Sequence, residues 1–349
     1  MVQLSYHPIK SKFHRIQSFV NYIMLEVVLN ARKMQNEHFD ITMVRVERYR
    51  KLIEGVDNRY LLNPLSTMYD EFRTLNPWQI RMFRKAVYCN NKIKDLCECK
   101  LKPVHYSELE NAVGEGHRLL IAAIRQFCYS IYNDCIRRAS FYHEFGKIDD
   151  YYRNLVNRNT TCVMCGVPKR ILSALDDKMS AFDHYLPRDL YPFNSVNTAN
   201  LVPTCDNCNT KYKGVKDPLF EVKGDYGQNC QLQCFYPFSI RYYDIKINIE
   251  LLSNYRLEMP MDDVVVTLSC DGVQNQVDNW DRIYNIKKRY AKTCCENDFY
   301  DVYNMAFVNC TIHDMTTQQY ISMLEGNKKA DLNFLKVPFL KAILAYQET

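Results

Sequence analysis

Two CxxC pairs, Cys162/Cys165 and Cys205/Cys208, constrain this chain more than any other feature of its sequence. A two-residue gap lets one tight turn present both sulfurs to one ion, and two such turns complete the tetrahedral thiolate set of a structural zinc. The intervening segment is then tied at its root. It carries Asp183-His184 and Asn200, and Asn209 directly follows the last cysteine. These are hard oxygen donors and an imidazole that titrates near neutrality, the groups that metal-assisted hydrolysis at phosphorus requires. Three plainer readings stay open beside this one. The four cysteines suit a zinc ribbon used only for binding, His184 suits a core or surface histidine, and Asn200 and Asn209 suit turn and cap positions.

The segment Phe182-Asp183-His184-Tyr185-Leu186-Pro187, followed by Asn200-Leu201-Val202-Pro203-Thr204-Cys205-Asp206-Asn207-Cys208-Asn209, resembles an HNH nuclease module. The likeness is to the zinc-stapled branch of the ββα-metal fold and covers roughly a sixth of the chain. It implies a β-hairpin carrying the Asp-His pair and a helix starting near the second CxxC. His184 would be the general base that activates water. Asp183 and Asn209 would hold a catalytic Mg²⁺ or Mn²⁺, Asn209 standing where a histidine is frequent. Asn200 would brace the loop that orients His184, and Cys162, Cys165, Cys205 and Cys208 would hold structural Zn²⁺. Lys211, Lys213 and Lys216 follow closely and are placed to meet a phosphate backbone, or serve only as favourable charge at a helix C-terminus. DNA is the expected substrate. RNA, a homing or mobile-element role, and a non-catalytic zinc adaptor are the alternatives.

Around this module the chain has room for further domains, with 349 residues, 47% hydrophobic and 24% charged, which excludes a disordered polymer. The net charge of +5 permits nucleic-acid binding without demanding it. Fifteen cysteines, an odd number, occur without a secretory pattern in the opening stretch, so a reducing cytoplasmic setting is expected. No apolar run of about eighteen residues suggests a membrane span. Cys97 and Cys99 form a CxC with no second pair nearby, and Cys230, Cys234, Cys294 and Cys295 suit packing better than chelation.

The expected fold class is α+β: an HNH core over 151–216, a mostly helical region 1–150 before it, and a mixed strand and helix region 217–349 after it. Phe13, Ile16, Phe19, Val20, Ile23, Val27 and Val28 trace a helical stripe over 13–34. A second helix is expected over 40–54. Asn76-Pro77 marks a helix start, with Trp78, Phe83 and Val87 facing inward. Ser107 with Glu110 reads as a capping box for a helix running toward Arg138. Tyr151 to Thr161 reads as a polar connector, Met179 to His184 as a strand, and Asp206 to Lys213 as a helix closed by Gly214. Farther on, 263–269 reads as a strand, and helices are expected from Trp280 to Tyr290, over 317–324 and over 335–346.

The phrase Gln233 to Phe238, then Asn279-Trp280 and Arg289-Tyr290, is similar to the tail of bacterial HNH proteins found beside an ATPase in phage-defence loci, although the histidine usual there is missing. That resemblance implies a regulated effector working with an ATPase, a sensor subunit or a second copy of itself. The basic residues of the first segment, among them Arg15, Arg32, Lys33 and Arg48, suit such a partner, a nucleic acid or plain solvation.

Overall fold

The computed structural model describes residues 4–157, 161–167, 181–223, 228–309, 315–327, 330 and 332–348. The first helical run covers Lys12 to Lys33 without a break, passing from a 3-10 turn through the α-helix Ile16–Tyr22 and the π-turn Ile23–Val27 to a 3-10 end, Val28–Lys33. All seven stripe residues, Phe13 to Val28, are buried, so apolar periodicity located this element correctly. Asn76 caps the helix Pro77–Asn90: its side chain accepts from the Trp78 and Gln79 amides, and Gln79 reaches back to the Asn76 amide.

Five helical expectations up to Thr161 need correction. The stretch 40–54 is broken into a 3-10 turn, Ile41–Met43, and a helix, Glu47–Glu54, with Val46 in an extended conformation between them. Trp78 lies on the outer face at 52% exposure, because the first turn of its helix projects beyond the core. The capping box lies two residues earlier than expected, with His105 as cap and Glu108 as its partner. The helix it opens, Tyr106–Val113, then stops at Gly114, whose φ of 71° no helix accommodates; a separate helix, Arg118–Ser130, follows and passes into the π-turn Ile131–Cys135. Of the connector expected from Tyr151 to Thr161, the part up to Val156 belongs to the helix Ile148–Val156, which buries Tyr151, Tyr152 and Leu155, while 158–160 lie outside the described residues.

Three two-stranded antiparallel sheets complete the described fold. Strands β1 (Phe182–His184) and β2 (Leu201–Pro203) pair with His184 opposite Leu201; Met179 and Ser180, where the strand was expected to begin, lie outside the described residues. Strands β3 (Phe220–Lys223) and β4 (Gln228–Gln231) form a second hairpin. Strands β5 (Lys246–Leu251) and β6 (Val264–Ser269) form the third, with Val264, Val266 and Leu268 buried and the intervening residues exposed, the alternation of a sheet covered on one face. The helices Ile286–Cys294 and Asn333–Gln347 cover that face.

The buried side chains form one continuous cluster across all three expected segments. Backbone bonds stitch them as well: Tyr6 N–H to Pro237 C=O at 2.7 Å, Tyr106 N–H to Leu190 C=O at 2.9 Å, and Cys234 N–H to Cys97 C=O at 3.0 Å. Among the described residues, no helix is long and apolar enough to cross a membrane.

Candidate functional site

Cys162 opens a tight turn in which the Cys165 and Gly166 amides both donate to its carbonyl, at 3.2 and 2.7 Å. Gly166 closes the turn at φ 70°, a left-handed conformation that suits glycine. The second pair enters the helix Asn207–Lys213, so Cys205 lies before it and Cys208 in its first turn. The four sulfurs converge within 4.8 Å of one another, and Cys165 and Cys205 are 3.9 Å apart. A tetrahedral ion with Zn–S bonds of about 2.3 Å needs sulfurs about 3.8 Å apart, so the donor set fits structural zinc. Among the described residues no second group of this kind forms; Cys97, from the CxC, is packed in the core instead.

Groups outside the two turns hold this centre in place. Arg289 donates to Cys208 Sγ at 3.2 Å, and the Cys205 amide donates to Cys162 Sγ at 3.4 Å, both easing the excess negative charge of four thiolates on a divalent ion. Trp280 Nε1–H donates to the Met164 carbonyl at 2.7 Å and the Tyr290 hydroxyl to the Cys165 carbonyl at 2.9 Å. Asn279 holds the Pro218 and Gln233 carbonyls at 2.8 and 2.9 Å. Asn279 thus ties together the segments at Pro218 and Gln233, while Trp280, Arg289 and Tyr290 brace the cysteine turns. Their spacing to the cysteines, more than a hundred residues in places, gave no sign of it.

His184 ends β1. Its Nε2 lies 2.8 Å from the Ser195 carbonyl, which only accepts, so Nε2 carries the proton and Nδ1 keeps its lone pair. Among the described residues Nδ1 has no hydrogen-bond partner. Burial lowers the imidazole pKa to about 3, with the positive Arg188 and Lys213 acting in the same direction and the Ser195 carbonyl opposing them. The Tyr132 ring packs edge-on at 4.5 Å. Asn200, fully buried, closes the loop between the strands: its Oδ1 accepts from the Leu186 amide at 2.7 Å and its Nδ2 donates to the Leu186 carbonyl at 3.0 Å.

The loop itself is polar yet buried, and the helical region satisfies it. Ser195 Oγ donates to the Cys128 carbonyl at 3.1 Å, Asn197 Nδ2 to the Asn91 carbonyl at 3.1 Å, and His14 pairs with Thr198 at 2.7 Å.

Asp183 is placed differently from the expectation of an ion ligand. Its carboxylate is 2% exposed, and Lys213 Nζ, equally buried, donates to Oδ1 at 2.7 Å and to the His184 carbonyl at 2.8 Å. Burial raises the Asp183 pKa, and the Lys213 ammonium opposes that shift. Among the described residues, Oδ2 is buried without a hydrogen-bond partner. Lys213 is therefore an internal pin between β1 and the helix, not a surface contact for phosphate. Asn209 lies half-buried one turn earlier in that helix. The Lys213 ammonium, 2.7 Å from Oδ1 and as buried as the carboxylate, already neutralises Asp183, so this arrangement does not fit a divalent ion bridging Asp183 and Asn209. Lys211 is exposed beside Tyr212, and Lys216 donates to the Arg282 and Ile283 carbonyls at 3.4 and 3.3 Å, near the end of the helix Gln274–Tyr284.

No protein-family model, curated protein or solved structure matches this chain. The chemical content of the site therefore rests on its geometry: a closed tetrathiolate centre, a hairpin and helix fixed to it, and a neutral imidazole with one committed nitrogen and one open nitrogen.

Proposed function

We propose that the chain is a phosphodiester hydrolase acting on DNA, built on an HNH-type core. The observation that carries this reading is His184. It sits on a hairpin followed by a helix, the order of a ββα unit, and Ser195 fixes its tautomer so that Nδ1 is the proton acceptor. In the reaction, the negative phosphodiester beside the ring raises the imidazole pKa from its resting value near 3. Nδ1 takes a proton from a water as that water forms its bond to phosphorus, the bond to the 3′-oxygen breaks, and the departing oxygen takes a proton from solvent. The products are a 5′-phosphate and a 3′-hydroxyl. Bound zinc would supply fold and not chemistry, because four thiolates leave no open coordination position. No step is assigned to a divalent ion on Asp183.

The test is plasmid DNA incubated with the purified chain or with its His184→Ala variant, in buffers with Mg²⁺, with Mn²⁺ and with neither. Cleavage by the parent alone is expected, and equal cutting by both proteins would remove the assignment. A matched RNA strand runs alongside, since a water nucleophile makes no use of the 2′-hydroxyl.

The second reading, a zinc-stapled binding module without catalysis, is favoured by one observation: the buried Lys213–Asp183 pair stands where an ion was expected. Under that reading neither protein cuts in any buffer. We further read the chain as a regulated effector that docks a protein partner, an ATPase or sensor subunit or a second copy. Trp78, Tyr88 and Leu119, exposed on two helices of the first segment, support that role. Efficient cutting by the isolated chain at one long defined site would favour a mobile-element nuclease instead.

A further inference from the structure

A cavity of about 400 Å³ opens between the helix Arg118–Ser130 and the loop that follows β1, with Ser195, the residue whose carbonyl holds His184, in its lining. That volume is in the range of small-ligand sites. Arg125 and Tyr129, one turn apart on the helix, line one wall; Arg188, Asp189 and Ser195 line the other. Tyr129 is 50% exposed, and the Arg188 guanidinium lies 5.0 Å from its centroid. The same guanidinium lies 5.4 Å from the Tyr132 ring, which packs on His184 at 4.5 Å. Ser195 faces the cavity and also supplies the carbonyl that holds His184 Nε2. Ser195 is thus the residue that the cavity lining and the imidazole share.

The two arginines differ. Arg125 is already compensated: it lies 3.8 Å over the Tyr106 ring, bonds Glu110 at 3.1 Å and donates to the Asp189 carbonyl at 3.0 Å. Arg188 has no carboxylate partner among the described residues, only the Asn133 amide oxygen at 3.4 Å. A purely apolar ligand would cover this charge and leave it unpaired, at a cost. A simple anion would make no use of the half-exposed Tyr129 ring. A planar base joined to a phosphate uses both, the base stacking on Tyr129 and the phosphate meeting the Arg188 fork. Asp189, the one carboxylate in the lining, is an acceptor suited to a base amino group.

We propose that this cavity is a nucleotide subsite. It takes one unpaired nucleotide of a DNA strand and thereby presents the neighbouring phosphodiester to His184. The direction toward His184 rests on the hydrolase reading; the binding itself does not.

The experiment uses the full chain carrying His184→Ala, which leaves the strand intact, and a single-stranded oligonucleotide containing 2-aminopurine, whose fluorescence is quenched on stacking. Quenching is expected, with affinity falling roughly tenfold or more on Tyr129→Ala and on Arg188→Gln and retained on Tyr129→Phe. Thermal melts of each variant confirm the fold. Unchanged affinity in Tyr129→Ala overturns the proposal. So does binding confined to a fully paired duplex, or displacement of the oligonucleotide by equimolar dAMP, which would make the site one for a free nucleotide. Loss of the hydrolase reading shows elsewhere, as absence of cleavage by the parent with oligonucleotide binding intact.

Discussion

At the scale of single residues, the decisive contacts are a histidine held neutral and a buried ion pair. His184 ionises in an unfolded chain near its ordinary 6.5 and in the folded one near 3. Above pH 6.5 both states leave it neutral. As pH falls below that, the unfolded chain gains a proton that the folded one refuses, so stability is lost through the window from 6.5 down to about 3. The slope from this one group reaches at most about 1.4 kcal/mol per pH unit. Urea unfolding across that window, compared with His184→Asn, is expected to give a shallower acid decline in the variant; identical slopes would count against a neutral buried imidazole. The Lys213–Asp183 pair makes a separate prediction. Lys213→Met strands a buried carboxylate, so a loss of about 3–5 kcal/mol is expected. Combining it with Asp183→Asn recovers a large part of that loss, and simple additivity in a double-mutant cycle would show that the two side chains are not coupled.

At the scale of elements, apolar periodicity and capping chemistry were legible, and long-range bracing was not. The stripe from Phe13 to Val28, the Asn76 cap and the helix ended by Gly214 follow from local rules, and all three are present. Local rules failed where a neighbour decided the outcome. Trp78 reads as core but projects outward, and Ser107 reads as the cap although the His105 ring takes that role two residues earlier. The π-turns at Ile23–Val27 and Asn207–Lys213 each depend on one extra residue per turn, which no apolar pattern signals. The four cysteines and the hairpin histidine were visible because their chemistry is tied to short spacing. Lys213 was misread as a surface charge because a lysine near a helix end looks the same whether it faces solvent or an internal carboxylate. The single helix expected from Trp280 to Tyr290 is two, Gln274–Tyr284 and Ile286–Cys294, broken at Asn285 with φ 52°. The bonds of Trp280 and Tyr290 to the cysteine turns depend on the tertiary fold. Trp280→Phe removes the indole donor to the Met164 carbonyl, and a cost of about 1–3 kcal/mol is expected. Zinc should remain at one equivalent but leave faster to a chelator. Cys205→Ser, by contrast, should lose zinc and the cooperative transition together, because affinity for a structural ion is part of the folding free energy. Metal content per chain and a thermal melt distinguish the two.

At the scale of the whole molecule, the segment 151–216 holds the four clustered cysteines and His184, but its contacts run in both directions. Position 151 itself falls inside the helix Ile148–Val156. Tyr6 donates to the Pro203 carbonyl from one side, while Trp280, Arg289 and Tyr290 reach the zinc turns from the other. An excised 151–216 fragment is therefore expected to melt without a cooperative transition and to bind zinc more weakly than the full chain; a sharp transition at full-chain affinity would contradict this. Ser195 carries a further consequence. Its hydroxyl grips the carbonyl of Cys128 in the helix Arg118–Ser130, and its own carbonyl grips the imidazole of His184. A slide of that helix along its axis, by even a fraction of its rise per residue, would act as a tiller and swing the proton acceptor. Leu119, exposed at the far end of the same helix, would give a protein docked as proposed a handle on a ring it never touches.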